Sequence, residues 1–198
     1  MKYLLALRPP ETLSHLFDSF RENIQYYLLD RPGAGDHLTV MVNRFREQDE
    51  EALTGSLAGI ELTPFLLTLE KMAFFEEAQE VERKNLVVLP RLSAELQQLH
   101  KEVINISRQF IYWKETPSLS GFPVPQDVER KAAYQRYGSP YFGQFYNPHL
   151  SLGEVKPGLE ELLWKPSFLG YEWLVKEFYL LKKDGTWKEV RRFTLESR

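Results

Sequence analysis

Two tetrapeptides, His37-Leu38-Thr39-Val40 and His149-Leu150-Ser151-Leu152, decide how this chain is read. Both run histidine, aliphatic, hydroxyl, aliphatic. In a strand, residues i and i+2 point to one face and i+1 and i+3 to the other. His37 and Thr39 therefore share a face, while Leu38 and Val40 point into the core. His149 and Ser151, with Leu150 and Leu152 behind them, repeat the arrangement. One such motif on a strand is common and usually structural. Two copies, headed by two of the four histidines in the chain, are far more specific.

The sequence around the motifs gives them matching settings. Residues 2–8 read as a buried strand closed by Pro9-Pro10. Leu13, Leu16, Phe17, Phe20, Ile24, Tyr27 and Leu28 recur at helical spacing and predict a helix over about 11–29. A turn at 30–35 leads into the first motif strand, about 36–46, then a short acidic helix, about 48–58. Strands follow over about 63–75 and 85–89, and then a helix whose stripe is Leu92, Leu96, Leu99, Val103, Ile106 and Phe110. Residues 114–147 look irregular. The second motif strand spans about 149–155, with a short helix at 158–164 and a hairpin of Tyr171–Lys182 with Trp187–Leu195. The rhythm of helix, motif strand, short helix and further strands occurs in both halves and suggests two similar lobes.

Composition narrows the function. A length of 198 residues suits one domain or two lobes sharing a core. The net charge of −3 argues against a broad surface for long nucleic acid, whereas a small anion or an RNA end needs only a local positive site. With no cysteine, disulfides, thiolate catalysis and cysteine-based zinc or iron–sulfur sites are excluded, which fits a cytoplasmic protein. No apolar run approaches a membrane span, and the opening Met1-Lys2-Tyr3-Leu4-Leu5-Ala6-Leu7-Arg8 is too short in its apolar part for a signal peptide. No obligate protein partner is evident.

Two motif strands set face to face would let two imidazoles bracket one anion while two hydroxyls donate to its oxygens. In-line displacement at phosphorus needs a base on the attacking side and an acid on the leaving side. Histidine suits both, with an unperturbed pKa of about 6.5. No metal or cofactor is required. His15 and His100 read as solvated residues on helix surfaces. Tyr141, Phe142, Phe145 and Tyr146 precede the second motif and offer rings for a nucleobase, Tyr146 foremost; packing of the lobe is the competing role. The 114–147 segment runs into His149 and is expected to flank or cover the cleft. Arg44 and Arg46 receive no role.

The paired motifs resemble those of the 2H phosphoesterase superfamily, which includes 2′-5′ RNA ligase-like proteins and RNA cyclic phosphodiesterases. The surroundings agree: a short strand and a long helix before the first motif, and the lead Phe145-Tyr146-Asn147-Pro148 into the second. The chain departs from many members after each motif, with Met41-Val42-Asn43-Arg44-Phe45 and Gly153-Glu154-Val155. The resemblance implies a single two-lobed, pseudo-symmetric α+β domain, with antiparallel sheets lining a central cleft and helices outside. It implies metal-independent hydrolysis of ribose 2′,3′-cyclic or 2′-5′ phosphodiesters of nucleotides or RNA ends. His37 and His149 would be the acid–base pair, and Thr39 and Ser151 the phosphate-binding hydroxyls. The alternative is a nucleotide- or RNA-end-binding module of the same fold without significant turnover.

Overall fold

The opening strand, β1 (Lys2–Leu7), stops just before Arg8 and two prolines, which lack the N–H groups a ladder needs. In this computed structural model, which describes residues 1–76, 83–112, 127–137, 143–159 and 166–196, Pro10 caps α1 (Glu11–Asn23) with extended backbone angles. Leu13, Phe17 and Phe20 form the buried side of α1. The helix ends at Asn23, short of the predicted 29. Leu28 instead enters β2 (Leu28–Asp30), which pairs with a later strand, so Tyr27 and Leu28 reach the core from outside the helix. Apolar spacing alone did not distinguish the two arrangements.

The other strands are β3 (Leu38–Arg44), β4 (Phe65–Glu76), β5 (Lys84–Pro90), β6 (Leu150–Val155), β7 (Glu172–Val175), β8 (Glu177–Asp184) and β9 (Thr186–Thr194). The other helices are α2 (Glu50–Leu57), α3 (Ala94–Ser107) and α4 (Val128–Tyr137). Among the described residues, nine strands form one curled sheet in the order β7-β4-β5-β6-β3-β1-β8-β9, with β2 on β6. All its pairings are antiparallel.

The two motif strands lie at the centre and pair through Leu38 and Leu150 alone. This waist divides the sheet into a four-stranded part (β3, β1, β8, β9) and a five-stranded part (β7, β4, β5, β6, with β2 on β6), and these are the two lobes. They are not the two halves of the sequence. β3, β1, β8 and β9 come from the two ends of the chain, and β7, β4, β5 and β6 from its middle and later parts. The predicted terminal hairpin is also divided. β7 pairs with β4 in one part, and after Lys176 the chain continues as β8 against β1 in the other. The turn to β9 at Gly185, with φ of +67°, falls between Lys182 and Trp187, where the predicted hairpin placed it.

Helices α1 and α3 cover one face of the sheet. The Ser93 side chain accepts the Leu96 N–H at 3.1 Å and starts α3, whose Leu96, Leu99 and Val103 are buried. α3 packs on β3, and α2 packs on α3 through buried Leu53 and Leu57. The segment read as irregular contains α4. Asp127 accepts the Arg130 N–H at 2.8 Å as its cap, and only Tyr134 of the helix is buried, so no apolar stripe announced it. The Tyr137 carbonyl accepts from Asn43 of β3 at 3.3 Å, and both residues lie with the helix-side core. α4 thus belongs to the helical side and does not cover the histidines; it is the described helix of the 114–147 segment that was expected to flank or cover the cleft. Residues 113–126 and 138–142, including Tyr141 and Phe142, and most of the helix predicted at 158–164 lie outside the described residues. No helix among the described residues is long and apolar enough to cross a membrane.

Candidate active site

The face opposite α1 and α3 carries both motifs. Antiparallel register about the Leu38–Leu150 pair sets His37 opposite Ser151 and Thr39 opposite His149. Each histidine thus faces the hydroxyl of the other motif, and the four side chains occupy one small patch. Leu38, Val40, Leu150 and Leu152 are buried behind it, as alternation requires.

Alternation then breaks, at the same place in both strands. Ala6 pairs with Thr39 but Leu5 with Met41, which leaves Val40 as the extra residue of a bulge. Val87 pairs with Ser151 but Leu86 with Gly153, which leaves Leu152 extra. The bulged residue is the last aliphatic of each tetrapeptide. Gly153 is obligatory here: at φ +138°, a Cβ would collide with the Asp30 carbonyl oxygen of β2. The bulge also returns Arg44 to the face of Thr39, but at the far end of β3.

The two imidazoles are held alike. Nδ1 of His37 lies 2.9 Å from the Gly35 carbonyl oxygen, and Nδ1 of His149 lies 3.0 Å from that of Asn147. A carbonyl only accepts, so each Nδ1 carries the proton and donates it. In the neutral ring Nε2 is then the bare, basic nitrogen. Both rings are half-buried, and burial pushes both pKa values below the ordinary histidine value. The carbonyl bonds act in the opposite direction. For His37, the charges of His149 and Arg8 lower the pKa further and Asp36 raises it.

Several residues in this patch and beneath it were missed in the sequence. The Ser151 hydroxyl donates to Oδ1 of Asn85 on β5 at 2.6 Å. Phe75 of β4 meets the His149 ring edge to face, with centroids 4.8 Å apart. Arg8 continues the register of β1 to a position across from His37, and Glu189 pairs with it at 2.6 Å. Arg21 of α1 is buried under β6, where Nε donates to the Leu152 carbonyl at 2.8 Å. His100 is corrected from a solvated residue to a buried one: it is 4% exposed and Nδ1 donates to the Val40 carbonyl at 2.7 Å. Arg21 and His100 sit at helical spacing within the apolar stripes of α1 and α3, a signal that was legible. His15 is exposed on α1, as read.

Tyr146 does stack, but on a protein ring. Its plane lies 6° from that of His100 with centroids 3.7 Å apart, the residue is 8% exposed, and its hydroxyl donates to the Thr39 carbonyl at 3.2 Å. These contacts favour the packing role over the nucleobase platform. Among the described residues, no group of three or more histidine, aspartate or glutamate side chains is arranged to hold a metal ion.

No protein-family model matches the sequence, and no curated protein matches it either. Solved structures do. E. coli LigT complexed with 3′-AMP aligns over 99% of this chain and 98% of its own, at 16% identity and a TM-score of 0.64. A crystal structure described as a phosphoesterase aligns over 99% of both chains at 17% identity and a TM-score of 0.65. TT0787 of Thermus thermophilus aligns over 98% of both chains at 14% identity and a TM-score of 0.64. The fold is the α+β fold of the LigT-like 2H phosphoesterases, across essentially the whole chain.

Proposed function

We propose that this protein is a metal-independent 2H phosphoesterase that hydrolyses ribose 2′,3′-cyclic or 2′-5′ phosphodiesters of nucleotides or RNA ends. The observation that carries the reading is the Leu38–Leu150 pair, which sets the two His-x-hydroxyl motifs crosswise on one face. Both imidazoles there have Nδ1 committed to a carbonyl and Nε2 left for chemistry. The solved structures support it: E. coli LigT has been crystallised with phosphate and with 3′-AMP, the kind of ligand such a site would hold.

In this mechanism one Nε2 takes the proton of the attacking water, and the other, protonated, gives its proton to the leaving ribose oxygen. Both free rings favour the neutral form, so an anionic substrate between them is what raises the pKa of the ring that serves as acid. Thr39 and Ser151 donate to the non-bridging oxygens, Ser151 by turning its hydroxyl from Asn85 to the phosphate. Arg8, across from His37, adds positive charge on that side. Tyr146 supports the first motif strand through the Thr39 carbonyl.

The test is a turnover screen in EDTA with 2′,3′-cyclic nucleotides, 2′-5′ dinucleotides and RNA ending in a cyclic phosphate, with products resolved as 2′- or 3′-phosphates. Hydrolysis of at least one class is expected to persist in the chelator. Loss of all turnover on chelation, restored by a divalent ion, would overturn the metal-free mechanism. Binding without turnover of any class would make the protein a nucleotide-binding module.

A further inference from the structure

The sheet by itself holds the two motifs together weakly. β3 and β6 share one residue pair, and away from it each turns to other partners. Two catalytic groups bracketing one phosphate need a fixed separation, since a misplacement of about 1 Å can lower a rate by roughly 10²-fold. Something beyond the ladder has to supply that.

Arg21 is placed to do so. It is 3% exposed, and its guanidinium reaches both motifs at once. Toward the second motif, Nε donates to the Leu152 carbonyl at 2.8 Å and Nη2 approaches the Ser151 carbonyl at 3.5 Å. Toward the first, the same Nη2 donates to Asp36, the residue directly before His37, at 2.5 Å. Nη1 is tied to Asp18, one turn back on α1, at 3.2 Å, and Asp18 also takes Arg31 at 3.1 Å. A planar fork with fixed donor directions transmits position in a way a flexible ammonium does not.

We infer that Arg21 is a positioning residue: with Asp36 it forms a buried brace that sets the separation of His37 and His149. The inference rests on the proposed function only for its effect on rate; the brace itself is a matter of geometry. Among the described residues, the hydrogen bond of the Asp36 side chain toward the second motif runs through Arg21. A change at the Asp36 side chain that leaves the backbone in place and is felt at His149, as Arg21→Lys is, therefore reports the brace.

The experiment compares wild type, Asp36→Asn and Arg21→Lys by nitrogen NMR of the histidine rings at pH 9, where both rings are neutral and charge coupling between them is absent. Turnover of a 2′,3′-cyclic nucleotide is measured alongside. In Asp36→Asn the ring resonances of both His37 and His149 are expected to move, and kcat to fall by about 10- to 100-fold with KM changed far less. Arg21→Lys should move both rings as well. If His149 keeps its wild-type resonances in Asp36→Asn, the brace is overturned, even where Arg21→Lys fails to fold. If wild type shows no turnover yet both rings move, the brace stands and the proposed activity falls.

Discussion

β3 and β6 are built alike and held differently. Both carry the tetrapeptide, both bulge at its last aliphatic, and both continue with the same sequence of buried and half-buried positions. A bulge leaves its extra residue outside the ladder, so the carbonyls of Val40 and Leu152 need donors from elsewhere. β6 receives a charged fork, Arg21 of α1, which serves the carbonyls of Leu152 and Ser151. β3 receives two rings stacked on each other: His100 of α3 serves Val40, and Tyr146 serves Thr39. Both solutions tie the motifs to one another, since Asp36 and Tyr146 each belong to the approach to one motif and act on the strand of the other. The comparison teaches that the fold demands a buried donor beneath each bulged carbonyl and leaves its chemical type open.

If the motifs are equal partners, neither histidine is dispensable. His37→Ala and His149→Ala should each lower kcat by roughly 10²-fold or more, because one acid or base contributes about 10²–10⁴. The double variant should be little worse than the poorer single one, as for groups that act as a unit. Steady-state kinetics on a 2′,3′-cyclic nucleotide would check both, and a single variant with near wild-type turnover would end the symmetry.

The unlike supports should differ in what their loss does to stability. Arg21→Met strands the Asp36 carboxylate and two carbonyls, and breaking a buried ion pair costs about 3–5 kcal/mol. His100→Leu leaves the Val40 carbonyl without its donor but no charge stranded there, which costs about 1–3 kcal/mol. Urea denaturation that ranks His100→Leu as the worse would reverse the contrast.

A smaller effect follows from the two lowered histidine pKa values. Between the unfolded value, about 6.5, and the lower folded one, the unfolded chain binds more protons. Stability is therefore fully present above about pH 6.5 and is lost as pH falls through that window. Melting curves of wild type should decline on acidification past this point, and those of His37→Asn/His149→Asn should decline less.

Much of this was legible in the sequence. The motif pair, the strands carrying it, the α1 and α3 stripes and the Gly185 turn follow from periodicity and turn chemistry. What escaped has identifiable causes. Strict alternation carries no sign of a bulge, so the change of facing after Thr39 and Ser151 was invisible. The sequence rhythm suggested lobes from consecutive halves, but β1 pairs with β8 from the other end of the chain, and that choice is made by long-range pairing. α4 lacks an apolar stripe because one residue of it is buried. Arg21 and His100 were readable as polar residues inside apolar stripes, the place where a buried donor has to sit.

The central claim is that both Nε2 atoms address one phosphate. Nitrogen NMR of the two rings, recorded without and with inorganic phosphate, tests it most directly. The account predicts that both free rings carry their proton on Nδ1 and titrate below the ordinary histidine value, and that phosphate shifts both rings together and raises the pKa of at least one. A phosphate response confined to one ring, or a free ring protonated on Nε2 instead, would contradict it.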